Sequence, residues 1–372
     1  MNMFSSIIFA DAYSHQASEL VNKRTLASIP FGGRFRLIDF VLSSLVNAGV
    51  ANVAIIPKRN YASLSDHLGD GKYWDLHHRN SGLKILSPFF RADNNNEVFM
   101  ARGKLDALRS VQPYISSLKE EYVVISNGNL IANIDFSDAF NFHLESGADI
   151  TAVYANTASS SAQNLELTVG EDGRISNIVY GDGNGDKKNI SLNVYIMKRD
   201  LLMEIISFAD AHDLYSFDKY ALINNVEKLK IMGYNHKDYA QIVYTTNDYY
   251  KASMEMLCED KRSSVFNPDR PILTRVKDSV PVLYKYNAKI SNSLIADGCK
   301  IDGTVKNSII FRNVTIETGA VVENSIVMQN TVISRDSKLS CTILDKDITV
   351  SENKVLCGDK DYPFVLAKNS KI

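Results

Sequence analysis

The most restrictive feature of the chain is a short repeat that begins near Pro281. Asn292-Ser-Leu-Ile, Asn307-Ser-Ile-Ile, Asn324-Ser-Ile-Val and Cys341-Thr-Ile-Leu recur at intervals of 15, 17 and 17 residues. Between them aliphatic residues fall six apart: Ile295 and Ile301, then Ile310, Ile316 and Val322, then Val327, Ile333 and Leu339. A six-residue period marks a β-helix, in which three short strands make one coil of about 18 residues. Each coil buries its aliphatic residues only against its neighbours, so several must stack. The pattern predicts a left-handed parallel β-helix over residues 281–372, with its open ends or sides available for assembly.

Between residue 4 and about residue 250 the pattern is different. Phe4–Ala10, Val50–Ile56, Leu83–Leu86, Tyr122–Ser126 and Asp149–Tyr154 read as strands. Ala62–Leu68, Gly103–Val111 and Phe136–His143 carry helical spacing, and Asp238–Met256 reads as a strand followed by a helix. This alternation predicts an α/β domain of Rossmann-like kind, with a mostly parallel sheet covered by helices. At 372 residues the chain is too long for one ordinary core. The expected division is the α/β domain over 1–255, a linker over 256–280 and the β-helix over 281–372. Ligands of parallel sheets collect at the carboxyl ends of strands, so Ala10 and Ser126 mark the two lips of a pocket.

Composition narrows the function classes. A net charge of −2 argues against a dedicated nucleic-acid binder. No apolar run approaches the ~20 residues of a membrane span. The N-terminus has no basic region ahead of its short apolar segment, as a secretory signal would need. Cys258, Cys299, Cys341 and Cys357 lie far apart without metal-ligand spacing, which fits reduced thiols in a cytoplasmic protein. Gly181–Lys188 starts like a calcium loop, but Lys187 stands where a glycine is needed and Asn193 where a glutamate is needed, so it reads as a hairpin tip. His77-His78, beside Trp74, has no further ligand at metal spacing and reads as surface or cleft structure, while Tyr249-Tyr250 reads as packing.

The opening segment poses the functional question. Asp11-Ala-Tyr-Ser-His-Gln16 stands where a nucleotide-handling α/β domain keeps its phosphate loop. Such a loop needs glycines so that backbone N–H groups can approach phosphate oxygens, and this one has none. Ile29-Pro-Phe-Gly-Gly-Arg-Phe-Arg-Leu-Ile-Asp-Phe40 then reads as a glycine turn leading into a helix.

At Pro30–Phe40, at Leu42-Ser-Ser-Leu-Val-Asn-Ala-Gly49 and at Gly103-Lys-Leu-Asp-Ala107 the sequence resembles the sugar-nucleotide pyrophosphorylases, the ADP-glucose pyrophosphorylases most closely. The β-helix is similar to that family's C-terminal domain. The resemblance implies the reaction of ATP with glucose 1-phosphate to ADP-glucose and pyrophosphate, for glycogen synthesis. Displacement at a phosphate of ATP needs Mg²⁺ held by carboxylates, cations on the phosphates and a backbone cradle. By the same resemblance the family's GGRGTR loop corresponds to Asp11–Gln16, which lacks every glycine and both arginines and adds the Asp11 carboxylate. A phosphate-contacting lysine corresponds to Leu26, and the two metal-binding aspartates correspond to Asn129 and Ile242. The sugar-phosphate lysine falls near Tyr180-Gly-Asp182, where Lys187 and Lys188 are the neighbouring cations.

This set of losses resembles the non-catalytic, regulatory D-type subunits of bacterial ADP-glucose pyrophosphorylase. The resemblance implies a catalytic paralogue as partner in a heterotetramer, with Mg²⁺ and ATP required there and no cofactor here. Lys23 corresponds to the lysine that binds sugar-phosphate activators in the family, and Arg24, Arg34 and Arg36 complete a candidate effector-binding set. The same cations also read as solvated charges beside a turn or as part of a subunit interface. Two alternatives stand beside this expectation. An active adenylyltransferase would hold Mg²⁺ on other carboxylates, such as Asp106 with Asp11. A hexapeptide-repeat acyltransferase would need a histidine in or near the coils, and none follows His236.

Overall fold

The computed structural model describes residues 3–11, 19–78, 81–91, 98–158 and 161–372. Four strands, Gly82–Ile85, Asn52–Ile56, Phe4–Phe9 and Tyr122–Asn127, lie parallel and side by side. Phe4–Phe9 and Tyr122–Asn127 are buried along their whole length, as strands covered on both faces must be. Successive residues alternate between the faces: Ile7 and Phe9 pack with Leu105, Leu108 and Leu202, Phe4 and Ile8 with Val41, Leu45 and Phe140. Beyond Tyr122–Asn127 the sheet continues antiparallel through Lys187–Lys198, which also carries Ile150–Ala158. With the hairpin Leu165–Val169/Ile175–Tyr180 and with Ile231–Asn235 the sheet reaches nine strands. The Gly181–Lys188 stretch is not the expected hairpin tip: it connects Ile175–Tyr180 to Lys187–Lys198, which Leu165–Val169 separates in the sheet, and in it Asn184 N–H donates to Asp182 and Asp186 N–H to Asn184.

The Pro30–Phe40 motif forms a tight hairpin and then a helix. Pro30–Phe31 pairs with Phe35–Arg36 around Gly32 and Gly33, whose φ angles of 58° and 85° exclude most other residues. Asp39 accepts the Arg36 N–H at 2.9 Å and lies 2.6 Å from Nε2 of buried His67, which fixes the start of the Leu37–Asn47 helix.

The C-terminal domain is the expected three-sided prism of five-stranded parallel sheets. Ile295 pairs with Ile310, Ile310 with Val327 and Val327 with Leu344, so the hexad residues stack directly upon one another. Ile310, Val322, Val327 and Ile333 are completely buried inside it. Asn292, Asn307, Asn324 and Cys341 occupy one corner of successive coils with φ of 43°, 46°, 47° and 51°. Asparagine tolerates this left-handed backbone best among residues with a Cβ, which is why it heads the repeats.

Residues 256–280 are not a bare linker. They contain the helix Glu259–Val265 and are tied to the first domain, with Leu273 N–H on Ser43 Oγ and Asn133 Nδ2 on the carbonyls of Val265 and Arg270. The two domains then share one apolar cluster. Phe31, Phe40, Tyr249 and Met256 meet Ile309, Phe311, Ile326, Met328 and Ile343 of the prism. The Gly33 turn lies against Ala296 and the Ile310 carbonyl. Tyr249 and Tyr250, on the Thr246–Glu255 helix, each add one bond: Tyr249 to the Pro30 carbonyl at 2.7 Å, Tyr250 to the Asn324 carbonyl at 2.6 Å. Among the described residues no helix is long and apolar enough to cross a membrane. The four cysteines are all free thiols, Cys299 and Cys341 buried, Cys258 and Cys357 exposed.

Phe311 is fully buried between the domains. Phe311→Ala is expected to cost about 3–5 kcal/mol in urea unfolding followed by circular dichroism. A loss below about 1 kcal/mol, the size of an ordinary surface substitution, would show that the ring is not part of a shared core.

Candidate functional site

Two places combine convergent polar groups with a position at the end of the sheet or between the domains. The first lies at the carboxyl ends of Phe4–Phe9 and Tyr122–Asn127, where a parallel sheet offers its ligand crevice. A cleft of about 240 Å³ opens there beside Lys104, Asn127, Tyr180, Asn193, Asp218 and Tyr244. The expected positions around it have structural partners. Asp11 accepts the backbone N–H groups of Leu26 at 3.2 Å and Lys58 at 2.9 Å, which ties three segments together. Burial pushes its carboxyl above the ordinary value, against the pull of those N–H groups. Leu26 is a core residue, 9% exposed. Gln16, with the stretch 12–18, lies outside the described residues.

Asn129 and Ile242 do come together. Ala240–Ile242 pairs with Leu130–Ala132, Ile242 opposite Leu130, and Asn129 exchanges two bonds with Val243: Nδ2 to the Val243 carbonyl at 2.7 Å and Val243 N–H to the Asn129 carbonyl at 2.9 Å. The fold thus brings the two positions together and supplies an amide and a sec-butyl side chain there. An amide is a poor ligand for Mg²⁺, and an aliphatic chain is none. Among the described residues no group of three or more His, Cys, Asp or Glu is placed to hold a metal. The alternative pair is also unsuited, because the Asp106 carboxylate accepts three bonds from Arg102 and Asp11 is engaged as above. Gly128 sits between Asn127 and Asn129 because a Cβ there would press to 2.8 Å on Ala27 and 2.9 Å on Ile38.

Cations are equally committed. Lys104, 8% exposed, pairs with Asp218 at 3.2 Å across the cleft. Lys188 faces away, held by Glu166 at 2.9 Å and Asp182 at 3.3 Å, and Lys187 is exposed at the start of the Lys187–Lys198 strand, so neither lines this cleft. What remains in the cleft is neutral hydrogen-bonding surface. Asn193 donates to the Tyr244 hydroxyl at 2.9 Å, burial holds that phenol protonated, and the Asn127 Oδ1 is buried without a partner.

The second place is the seam between the domains. Of the four expected cations, Lys23 and Arg34 are exposed. Arg36 donates to the carbonyl and hydroxyl of Ser63, and burial brings its guanidinium down to about 10. Arg24 is 5% exposed and places Nη2 2.7 and 2.6 Å from the two carboxylate oxygens of Asp345. The prism supplies cations that the sequence reading missed. Asp297, Arg312, Gln329 and Lys346 hold equivalent positions on successive coils, as the backbone bonds of the residues after them show. Arg312 is 6% exposed and has no acid partner among the described residues. Burial and the neighbouring Arg34 both lower its affinity for the proton. Lys346 is brought down to about 7 by burial, then by the charges of Arg36 and Arg24. The signal was available: these residues close the same six-residue unit that each Asn-Ser or Cys-Thr step opens.

Comparison with known proteins agrees with this geometry. Residues 17–179 match the nucleotidyl transferase family, and residues 282–362 match the GlmU-like C-terminal hexapeptide family. The chain is similar to the glycogen biosynthesis protein GlgD of Bacillus subtilis (strain 168), with 35% identity over 367 residues, covering 99% of this chain and 96% of that protein. It is similar to GlgD of Geobacillus stearothermophilus to the same 35% over 373 residues, covering 99% and 97% of the two chains.

The Lys346 shift sets a pH test. Between about 7 and its ordinary 10.5 the unfolded chain holds a proton that the folded chain has released, so stability rises with pH across that window. Below about 7 both states are protonated and the penalty of burying the cation is complete. Lys346→Met is therefore expected to be stabilising near neutral pH, with the gain shrinking towards pH 10, in thermal unfolding read against pH. A difference that stays constant over the window would show that Lys346 is not held in this way.

Proposed function

The chain belongs to the family of the glycogen biosynthesis protein GlgD, and from that premise we propose that it is a regulatory subunit of ADP-glucose pyrophosphorylase. It keeps the nucleotidyltransferase frame and does not itself join ATP to glucose 1-phosphate. The observation that carries this reading is the meeting of Asn129 with the Ile242–Val243 strand, where two carboxylates would be needed for Mg²⁺. Three further features support it: Asp11 on the Leu26 and Lys58 amides, Lys104 on Asp218, and an uncharged Asn193–Tyr244 wall. Mg²⁺ and ATP then belong to a catalytic paralogue.

The seam between the domains is the effector site in this reading. Arg312, Arg36 and Lys346, with Arg34 beside Arg312, offer several cations against one buried acid, an arrangement suited to a sugar phosphate. The partner would be met through the prism. Its first coil leaves strand edges at Leu283–Tyr284 and Lys289–Ser291 bonded on one side only, beside exposed Leu283, Tyr284, Tyr286 and Ile290. Open edges with apolar side chains invite another chain.

Purified alone, the protein is expected to form no ADP-glucose from ATP, Mg²⁺ and glucose 1-phosphate. Turnover near the enzyme median of ~10 s⁻¹ would return the active-adenylyltransferase reading. Mixed with a catalytic ADP-glucose pyrophosphorylase subunit, it is expected to co-elute with it and to change its effector response. Separate elution with unchanged kinetics would overturn the regulatory role. In the complex, Arg312→Gln is expected to raise the half-saturating concentration of a sugar-phosphate effector by about tenfold, the loss of one charge-assisted contact.

A further inference from the structure

We propose that Asp345 is a resident counter-ion of the interdomain seam, so that an anionic ligand reaches Arg24 only by displacing it. The inference rests on the seam being an anion site, and it adds the residue that sets the affinity of that site. Three observations lead to it.

Asp345 breaks the pattern of its own column. Ala296, Phe311, Met328 and Asp345 hold the fourth position after Asn292, Asn307, Asn324 and Cys341 on successive coils. The first three are apolar and face the other domain: Ala296 against Gly33, Phe311 and Met328 in the shared core. Only the fourth carries a charge, and it stands opposite Arg24. Such a carboxylate, 2% exposed, is there for its partner, because burying it alone would be strongly unfavourable.

The pairing is also incomplete. Both carboxylate oxygens sit on the one nitrogen Nη2 of Arg24, at 2.7 and 2.6 Å, while Nη1 is buried with no acceptor. A side-by-side carboxylate would satisfy both nitrogens. A phosphoryl group, with three oxygens, has an acceptor to spare for Nη1. Asp345 is held in place by the Lys346 N–H at 2.8 Å, so it occupies the position a ligand oxygen would take and leaves the guanidinium partly unmet.

The surroundings favour exchange. Lys346 and Arg36 both lie in the field of Arg24, and Lys277 in that of Arg36 and Arg312. One carboxylate balances only part of this charge, and a doubly charged group would balance more of it. The Arg24–Asp345 contact is moreover the one ion pair between the α/β domain and the prism among the described residues. Its exchange for a ligand would reach both domains at once.

The test is titration of the full chain with inorganic phosphate at constant ionic strength, by calorimetry. Asp345→Asn is expected to bind phosphate about tenfold or more tightly than the unaltered chain. Asp347→Asn, an exposed carboxylate two residues on, controls for net charge and is expected to change affinity by less than about twofold. Equal affinity of Asp345→Asn and the unaltered chain would overturn the counter-ion role while leaving the seam as an anion site. Binding by neither would overturn both readings together. If circular dichroism shows Asp345→Asn unfolded, Asp345→Ser, which leaves room for water at Arg24, takes its place with the same two outcomes.

Discussion

The structure depends on one packing arrangement, the insertion of the Pro30–Phe40 hairpin and its aromatic residues against the side of the prism. A β-helix buries its hexad residues internally and needs no second domain to do so. Here Ile309, Phe311, Ile326, Met328 and Ile343 face outward or along the seam, and Phe31, Phe40 and Tyr249 cover them. Burial of such side chains contributes about 1.5–3 kcal/mol each, so the seam is a main stabilising term for both halves. The glycine turn permits it, because Gly33 brings its backbone up to Ala296 and Ile310. Asp39, His67 and Ser63 then hold the helix start and Arg36 in a fixed relation to that turn.

With the frame fixed in this way, the chemistry at the strand ends is free to change. Asn129 and Ile242 are brought together by the Ala240–Ile242 and Leu130–Ala132 pairing, which asks nothing of the ionisable character of either side chain. Asp11 illustrates the same separation of roles. A charge at the end of a central strand reads as misplaced in the sequence, and as an acceptor for two backbone N–H groups it ties Phe4–Phe9 to the segments of Leu26 and Lys58. Lys104 and Asp218 neutralise one another in the cleft that remains. The cations Arg24, Arg36, Arg312 and Lys346 gather instead at the seam.

Much of this was legible in the sequence because its signals are periodic or local. The hexads named the strands of the prism, since Ile295, Ile310, Val327 and Leu344 can stack only in one register. Phe4–Ala10 and Tyr122–Ser126 read as buried strands because apolar residues dominate both of their faces. The antiparallel extension around Lys187–Lys198 was not legible, as Leu165–Val169 stands between Ile175–Tyr180 and Lys187–Lys198, an order that consecutive strands do not announce. Arg24 read as a solvated or effector-facing cation, and Asp345 did not register at all. Their partnership spans 321 positions and exists only once the domains dock. Residues 256–280 read as a linker for the same reason, since Asn133 and Ser43, which hold them, lie far back in the chain.

The shared core also bears on how such a protein can be recombined. A crossover placed between Val265 and Pro281 looks safe on the sequence, where the repeat has not yet begun. It would nevertheless part Phe31, Phe40 and the two tyrosines Tyr249 and Tyr250 from the prism surface that they were shaped against. A prism grafted from a relative would arrive with its own residues at the places of Phe311, Met328 and Asp345, and would fit only if they matched the host hairpin and Arg24. The unit of inheritance in this architecture is therefore the hairpin together with the coils it touches, and the domain boundary is the least suitable place to cut.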